Sequence, residues 1–86
     1  MPPSTTETHS RQAQGTLCRV DVCRREVHVL VGDDVLICYV PPDCPVLVNG
    51  ERVRLRLLQP ADCVRVEFGL IGGDAVATRI ALVWPS

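Results

Sequence analysis

The tightest local constraint in this chain is the dipeptide Asn49-Gly50, set between the apolar runs of Val46-Leu47-Val48-Asn49-Gly50-Glu51-Arg52-Val53. Asparagine and glycine tolerate positive φ at consecutive positions, which a tight type I′ hairpin turn demands. Further on, Pro60-Ala61-Asp62 breaks the chain again. Cys63-Val64-Arg65-Val66-Glu67-Phe68 then alternates with period two, so that Val64, Val66 and Phe68 share one face. Turns at this spacing around alternating segments specify strands, not helices.

The rest of the chain obeys the same rule. Residues 15–22 predict a first strand with Cys18, Val20 and Val22 inward, followed by a turn at Cys23-Arg24-Arg25. Residues 26–31 predict a second strand, with Val27, Val29 and Val31 inward and Glu26 and His28 outward; so short a connection makes the pair antiparallel. After Gly32-Asp33-Asp34, residues 35–40 are apolar on both faces, the pattern of a strand covered on both sides or under a partner. Pro41-Pro42-Asp43-Cys44-Pro45 lacks the amides to pair in a ladder and reads as a rigid corner. Residues 46–48 form a fourth strand, followed by a short strand through Val53 and one helical turn ending before Pro60. Residues 63–68 and 75–84 supply the fifth and sixth strands, joined through Gly72-Gly73-Asp74. The expected fold class is all-β: a small six-stranded antiparallel barrel or sandwich, OB-like or SH3-like, spanning residues 15–86. Residues 1–14, which carry His9, are polar with no apolar period and predict a disordered tail.

Once these segments are laid out, they resemble a widespread group of uncharacterised bacterial small β-barrel domains. The group's pattern is "Val-x-Val-Asn-Gly", then "Leu-x-x-Leu-x-Pro-Gly-Asp-x-Val-x-Val", then "Ala-Thr-x-Ile". It is matched here by Val46 to Gly50, by Leu55 to Val66 and by Ala77-Thr78-Arg79-Ile80. The chain departs from it at Ala61, where the pattern has glycine, and at Arg54, where a capping serine or threonine is usual. The resemblance covers residues 15–83. It implies architecture and carries over no activity and no site residues.

Composition narrows the functions open to such a barrel. One domain of 86 residues buries only about 60% of its unfolded surface. Aromatics are 3% of the chain, so Tyr39, Phe68 and Trp84 are its only large plates and the core must be valine and leucine. The net charge of −1 creates no global field for nucleic acid or an acidic membrane. No apolar run is long enough to span a bilayer as a helix, and the polar start has no signal-peptide character, so the expected location is cytoplasmic.

Catalysis lacks its parts. His28 is the one histidine within the barrel, on a polar face, and no nucleophile elbow, zinc-protease helix or phosphate loop is present. The sequence therefore argues against an enzyme, and no cofactor is expected. The five cysteines allow a thiol-based metal or redox role through Cys18, Cys23, Cys38 and Cys44, yet their spacings form no paired knuckle. Cys18 and Cys38 are expected in the core; Cys44, in the proline corner, is expected to be the most exposed and first to react. All nine basic residues are arginine. Arg52, Arg54 and Arg56 alternate, and Arg65 and Arg79 could join them in a weak, salt-sensitive nucleic-acid surface with few aromatics for stacking. The leading expectation is a non-catalytic binding or accessory module. Its partner is an unidentified protein or a second copy, met through residues 35–40 and the apolar end Leu82-Val83-Trp84.

Overall fold

The computed structural model describes residues 10–84, Trp84 by its backbone alone. It contains β1 (Arg11–Asp21), β2 (Glu26–Val31), β3 (Asp34–Tyr39), β4 (Val46–Val48), β5 (Glu51–Arg52), a 3-10 turn (Leu55–Leu57), β6 (Cys63–Ile71) and β7 (Asp74–Trp84). The hydrogen-bonded order is β3-β2-β1-β6-β7-β4-β5, and a further β3–β7 pairing closes the sheet on itself. Five strands, β1-β2-β3-β7-β6, thus form the barrel, with the β4–β5 hairpin attached to β7. This is an OB-like closure, in which the last strand runs parallel to the third.

The expected all-β barrel is present, with differences that have physical causes. The strands number seven, since Glu51–Arg52 pairs with β4 as a separate short strand. The pairing is not wholly antiparallel: β7 runs parallel to β3 at Ala75 and Val76, and parallel to β4 from Ile80 to Leu82. Part of the segment expected as a disordered tail is strand. Residues 11–14 are strand, paired with β6 from Phe68 to Arg65, while residues 1–9, including His9, lie outside the described residues. That four-residue extension is held mainly by backbone ladder bonds: Arg11, Gln12 and Gln14 are exposed, and only Ala13 packs against the core.

β1 changes partner along its length. Residues 11–16 pair with β6 and residues 16–21 with β2, so the strand is pinched between two neighbours at Gly15 and Thr16. A Cβ on Gly15 would run into the carbonyl oxygen of Leu30. Glycine is thus required here by a close backbone approach. Just beyond, the β1–β2 register slips between Leu17 and Arg19. At that slip Leu17 bonds the 59–62 turn through both backbone groups: its N–H donates to Asp62 O at 2.8 Å and its carbonyl accepts from Ala61 N at 2.7 Å. The slip turns Cys18 outward, against expectation, while Val20 still packs against the core as expected. Leu17 is buried, Cys18 is exposed, Val20 is half-buried, and Val22 leaves the strand 47% exposed.

The core is Leu17, Val27, Val29, Cys38, Val40, Val46, Val64, Val66 and Ile80, joined by Leu55 and Leu58 from the 3-10 turn and by Phe68. Each such aliphatic side chain contributes about 1.5–3 kcal/mol on burial. Tyr39, expected as a core plate, is 44% exposed. Asn49 and Gly50 have φ of 55° and 81°, the two left-handed residues that a type I′ turn needs. Ala61 adopts φ 82°, so the turn that lacks the pattern's glycine keeps the left-handed geometry and carries its strain. Asp62 holds that turn: its Oδ2 accepts the Gln59 N–H at 2.9 Å.

Two substitutions at these positions should move stability in opposite directions. Ala61→Gly relieves an L-residue of left-handed backbone and should raise the unfolding free energy by about 1 kcal/mol. Gly15→Ala should lower it by about 3 kcal/mol through overpacking against Leu30. Urea melts of both variants beside the parent chain provide the measurement; a neutral Gly15→Ala would contradict the pinch.

Candidate functional site

Two surfaces stand out. The first is apolar. On β3 the side chains alternate: Leu36 and Cys38 turn inward, while Val35, Ile37 and Tyr39 are 53%, 51% and 44% exposed. The strand with two apolar faces is therefore covered on one side only. Its outward residues stand opposite Leu30, His28 and Glu26 of β2. Leu30 is 40% exposed, and the His28 and Glu26 side chains lie 3.6 Å apart. A groove separates Ile37 and Tyr39 from the β6–β7 hairpin tip, where Leu70 and Ile71 are 44% and 64% exposed. On that side β3 is bonded to β7 only at Cys38 and Tyr39, which leaves the backbone of residues 34–37 unpaired along one edge. Of the expected apolar end, Leu82 and Val83 are half-buried, and the side chain of Trp84 lies outside the description.

The second surface is basic. Arg52, Arg54 and Arg56 line one groove of about 440 Å³, as their alternation predicts, and Arg25 from the β1–β2 turn joins them. Its floor is apolar, from Val46, Val53 and Leu55, and Cys44 lies beside it. Arg65 and Arg79 do not line this groove. Arg65 is on β6, where it donates to Gln14 Oε1 at 3.2 Å, and Arg79 is on β7 opposite Glu67. The expected five-arginine face is thus divided.

Arg25 was not legible as a site residue. It takes φ 55° in its turn, donates from Nε to Val40 O at 2.7 Å and from Nη2 to Pro41 O at 3.2 Å. The available signal was the proline corner itself, which is rich in carbonyls and poor in amides and so needs donors from elsewhere. Arg52 does the same more weakly, from Nη2 to Asp43 O at 3.4 Å.

The thiols fall into two classes. Cys18 and Cys23 are exposed, Cys63 is half-buried, and Cys38 and Cys44 are buried, at 0% and 6% exposure. Burial of Cys44 overturns its expected exposure: the corner folds inward because Arg25 satisfies its carbonyls, and the Cys44 N–H closes onto Pro41 O at 3.0 Å. Burial pushes the Cys38 thiol up from 9.0 to about 11, and a charge on Cys44 would push it the same way. Burial also raises Cys44, against the opposing pull of the Arg25 and Arg52 guanidiniums. The four cysteines considered for metal therefore do not converge. Cys38 and Cys44 belong to the buried core, Cys18 and Cys23 are on the surface, and among the described residues no group of three or more His, Cys, Asp or Glu could hold a metal ion.

Comparison with known proteins places the architecture. No family model matches the chain, and no curated protein matches it in sequence. Solved structures do match. Apo-CusF from Escherichia coli superposes with a TM-score of 0.72 over 95% of this chain and 96% of that one, at 11% identity. CusF with Ag(I), also from Escherichia coli, gives 0.71 over 87% and 92%, again at 11% identity. A CusF variant with Cu(II) gives 0.65 over 85% and 90%, at 12% identity. The chain has the small β-barrel fold of these proteins.

The burial classes fix an order of thiol reactivity. Under a maleimide pulse read by peptide mapping, Cys18 and Cys23 should label first, Cys63 next, and Cys38 and Cys44 last. Because burial raises both the Cys38 and the Cys44 thiol, labelling of this pair should accelerate only as the pH is taken above the ordinary thiol range. Labelling of Cys44 together with Cys18 would contradict its burial.

Proposed function

We propose that this chain is a non-catalytic binding module that associates with a second copy of itself through the outward face of β2 and β3 and the β6–β7 tip. The carrying observation is that six large apolar side chains, Leu30, Val35, Ile37, Tyr39, Leu70 and Ile71, are all at least 40% exposed on this side of the barrel. Monomers rarely leave such a patch uncovered. A second copy is the favoured occupant because the apolar residues flank the unpaired edge of residues 34–37. An edge strand can pair with its own image across a two-fold axis, burying the same side chains from both copies. The His28–Glu26 pair lies within the face, opposite Ile37 and Tyr39, so a partner must also satisfy those two polar side chains.

Ile37 is at the centre of this face and exposed, so its replacement leaves the core intact. Sedimentation of the parent chain should show concentration-dependent dimerisation, and Ile37→Arg should weaken it at least about tenfold. A parent chain that stays monomeric at millimolar concentration ends the reading.

A second reading is favoured by the CusF likeness: capture of a soft monovalent metal ion by Cys38 and Cys44. CusF is found with Ag(I), and thiolates are suited to Cu(I) and Ag(I). The two thiols belong to one buried core cluster, and each must lose a proton on binding, so uptake should weaken as pH falls. Titration with Ag(I) under reducing conditions should give one tight ion per chain that Cys38→Ala abolishes and a Cys18→Ser/Cys23→Ser variant keeps. The reverse pattern would assign any binding to surface thiols and remove this reading.

A further inference from the structure

The groove lined by Arg25, Arg52, Arg54 and Arg56 is used by neither reading. Three features make it more than a solvated basic surface. First, the four arginines come from separate parts of the chain, the β1–β2 turn, β5 and the segment around the 3-10 turn, and line one concavity. Ordinary surface arginines are interleaved with acids, as Arg79 is with Glu67. No carboxylate of the described residues forms an ion pair with any of these four; the two close pairs in the structure are Arg19–Asp21 and His28–Glu26. Second, the cluster is partly preorganised. Arg25 is fixed by two bonds to the Val40 and Pro41 carbonyls, and Arg52 is tethered to Asp43 O, whereas the side chains of Arg54 and Arg56 make no hydrogen bond among the described residues. Two guanidiniums are held and two are free to close on a ligand. Third, Val46, Val53 and Leu55 give the groove an apolar part beneath its charged rim, against which a bound ligand would be partly shielded from water.

We infer that this groove is a binding site for a compact polyanion of the diphosphate class, held by Arg25, Arg52, Arg54 and Arg56. Guanidinium forks match phosphate oxygens bidentately, and four of them exceed what a single carboxylate can use. The volume of about 440 Å³ is that of a small-molecule site. A nucleic-acid strand is disfavoured on two counts. No aromatic lines the groove to stack a base, and Arg65 and Arg79, which would extend a track along a backbone, are elsewhere.

The test uses inorganic pyrophosphate as the probe, with the full chain, by calorimetry at low ionic strength. One saturable site is expected, weakening steeply as salt is added. Arg54 and Arg56 are exposed, so Arg54→Gln/Arg56→Gln should fold normally and lose at least about tenfold in affinity. Arg65→Gln/Arg79→Gln removes the same charge from the other face and should retain the parent affinity. The inference is overturned by any of three results. These are no saturable binding, equal loss in the two double variants, or a single-stranded oligonucleotide that binds more tightly than pyrophosphate and requires Arg65 and Arg79.

Discussion

The barrel depends on one strand. β7 bonds β6 along most of its length, β3 at its beginning and β4 towards its end, so three neighbours converge on it. Closure is what removes free edges from a sheet, and here it is achieved through the short parallel contact of Cys38 and Tyr39 with Ala75 and Val76. The contact involves few residues because, in this parallel register, β7 begins at Asp74 and β3 ends at Tyr39. Residues 34–37 are left open as a direct consequence, and the apolar side chains beside them follow from the same geometry. The exposed face is thus a product of incomplete closure, not a separate decoration on a finished shell.

Much of this was written in local pattern. Asn49-Gly50 and Gly72-Gly73 adopt the positive φ that their composition calls for, and the alternation of Val27 with Val29 and of Val64 with Val66 sets the inward faces. The missed features all depend on distant partners. Residues 11–14 are strand because β6 presents a ladder to them, and a polar segment carries no apolar signal for that. Cys18 turns out, not in, because Leu17 is drawn to the 59–62 turn and the register slips. No spacing in β1 announces a bond to a turn more than forty positions away.

The candidate site divides along the same line. Alternation correctly grouped Arg52, Arg54 and Arg56, which are close in sequence, but it could not say that Arg25 joins them or that Arg65 and Arg79 do not. The proline corner shows why. Proline removes donors, so the carbonyls of Val40 and Pro41 need outside partners when the corner folds inward. Arg25 supplies them, and in doing so it buries Cys44 and delivers a charge to the groove. One compensation for missing amides thereby determines the thiol's environment and the local electrostatics together.

That shared origin links the groove to the thiol in a definite direction. Arg25 and Arg52 both favour the Cys44 thiolate, while burial opposes it and wins. An anion seated among the guanidiniums would cancel part of their field at the sulfur, leaving burial less opposed and the thiol harder to ionise. Metal capture requires that thiolate, so a polyanion in the groove and a soft metal at Cys38 and Cys44 must weaken one another. By linkage the antagonism is reciprocal: whatever factor the anion imposes on metal affinity, the metal imposes on anion affinity. The two arginines that complete the fold of the corner therefore cannot serve a thiolate and a phosphate fully at the same time.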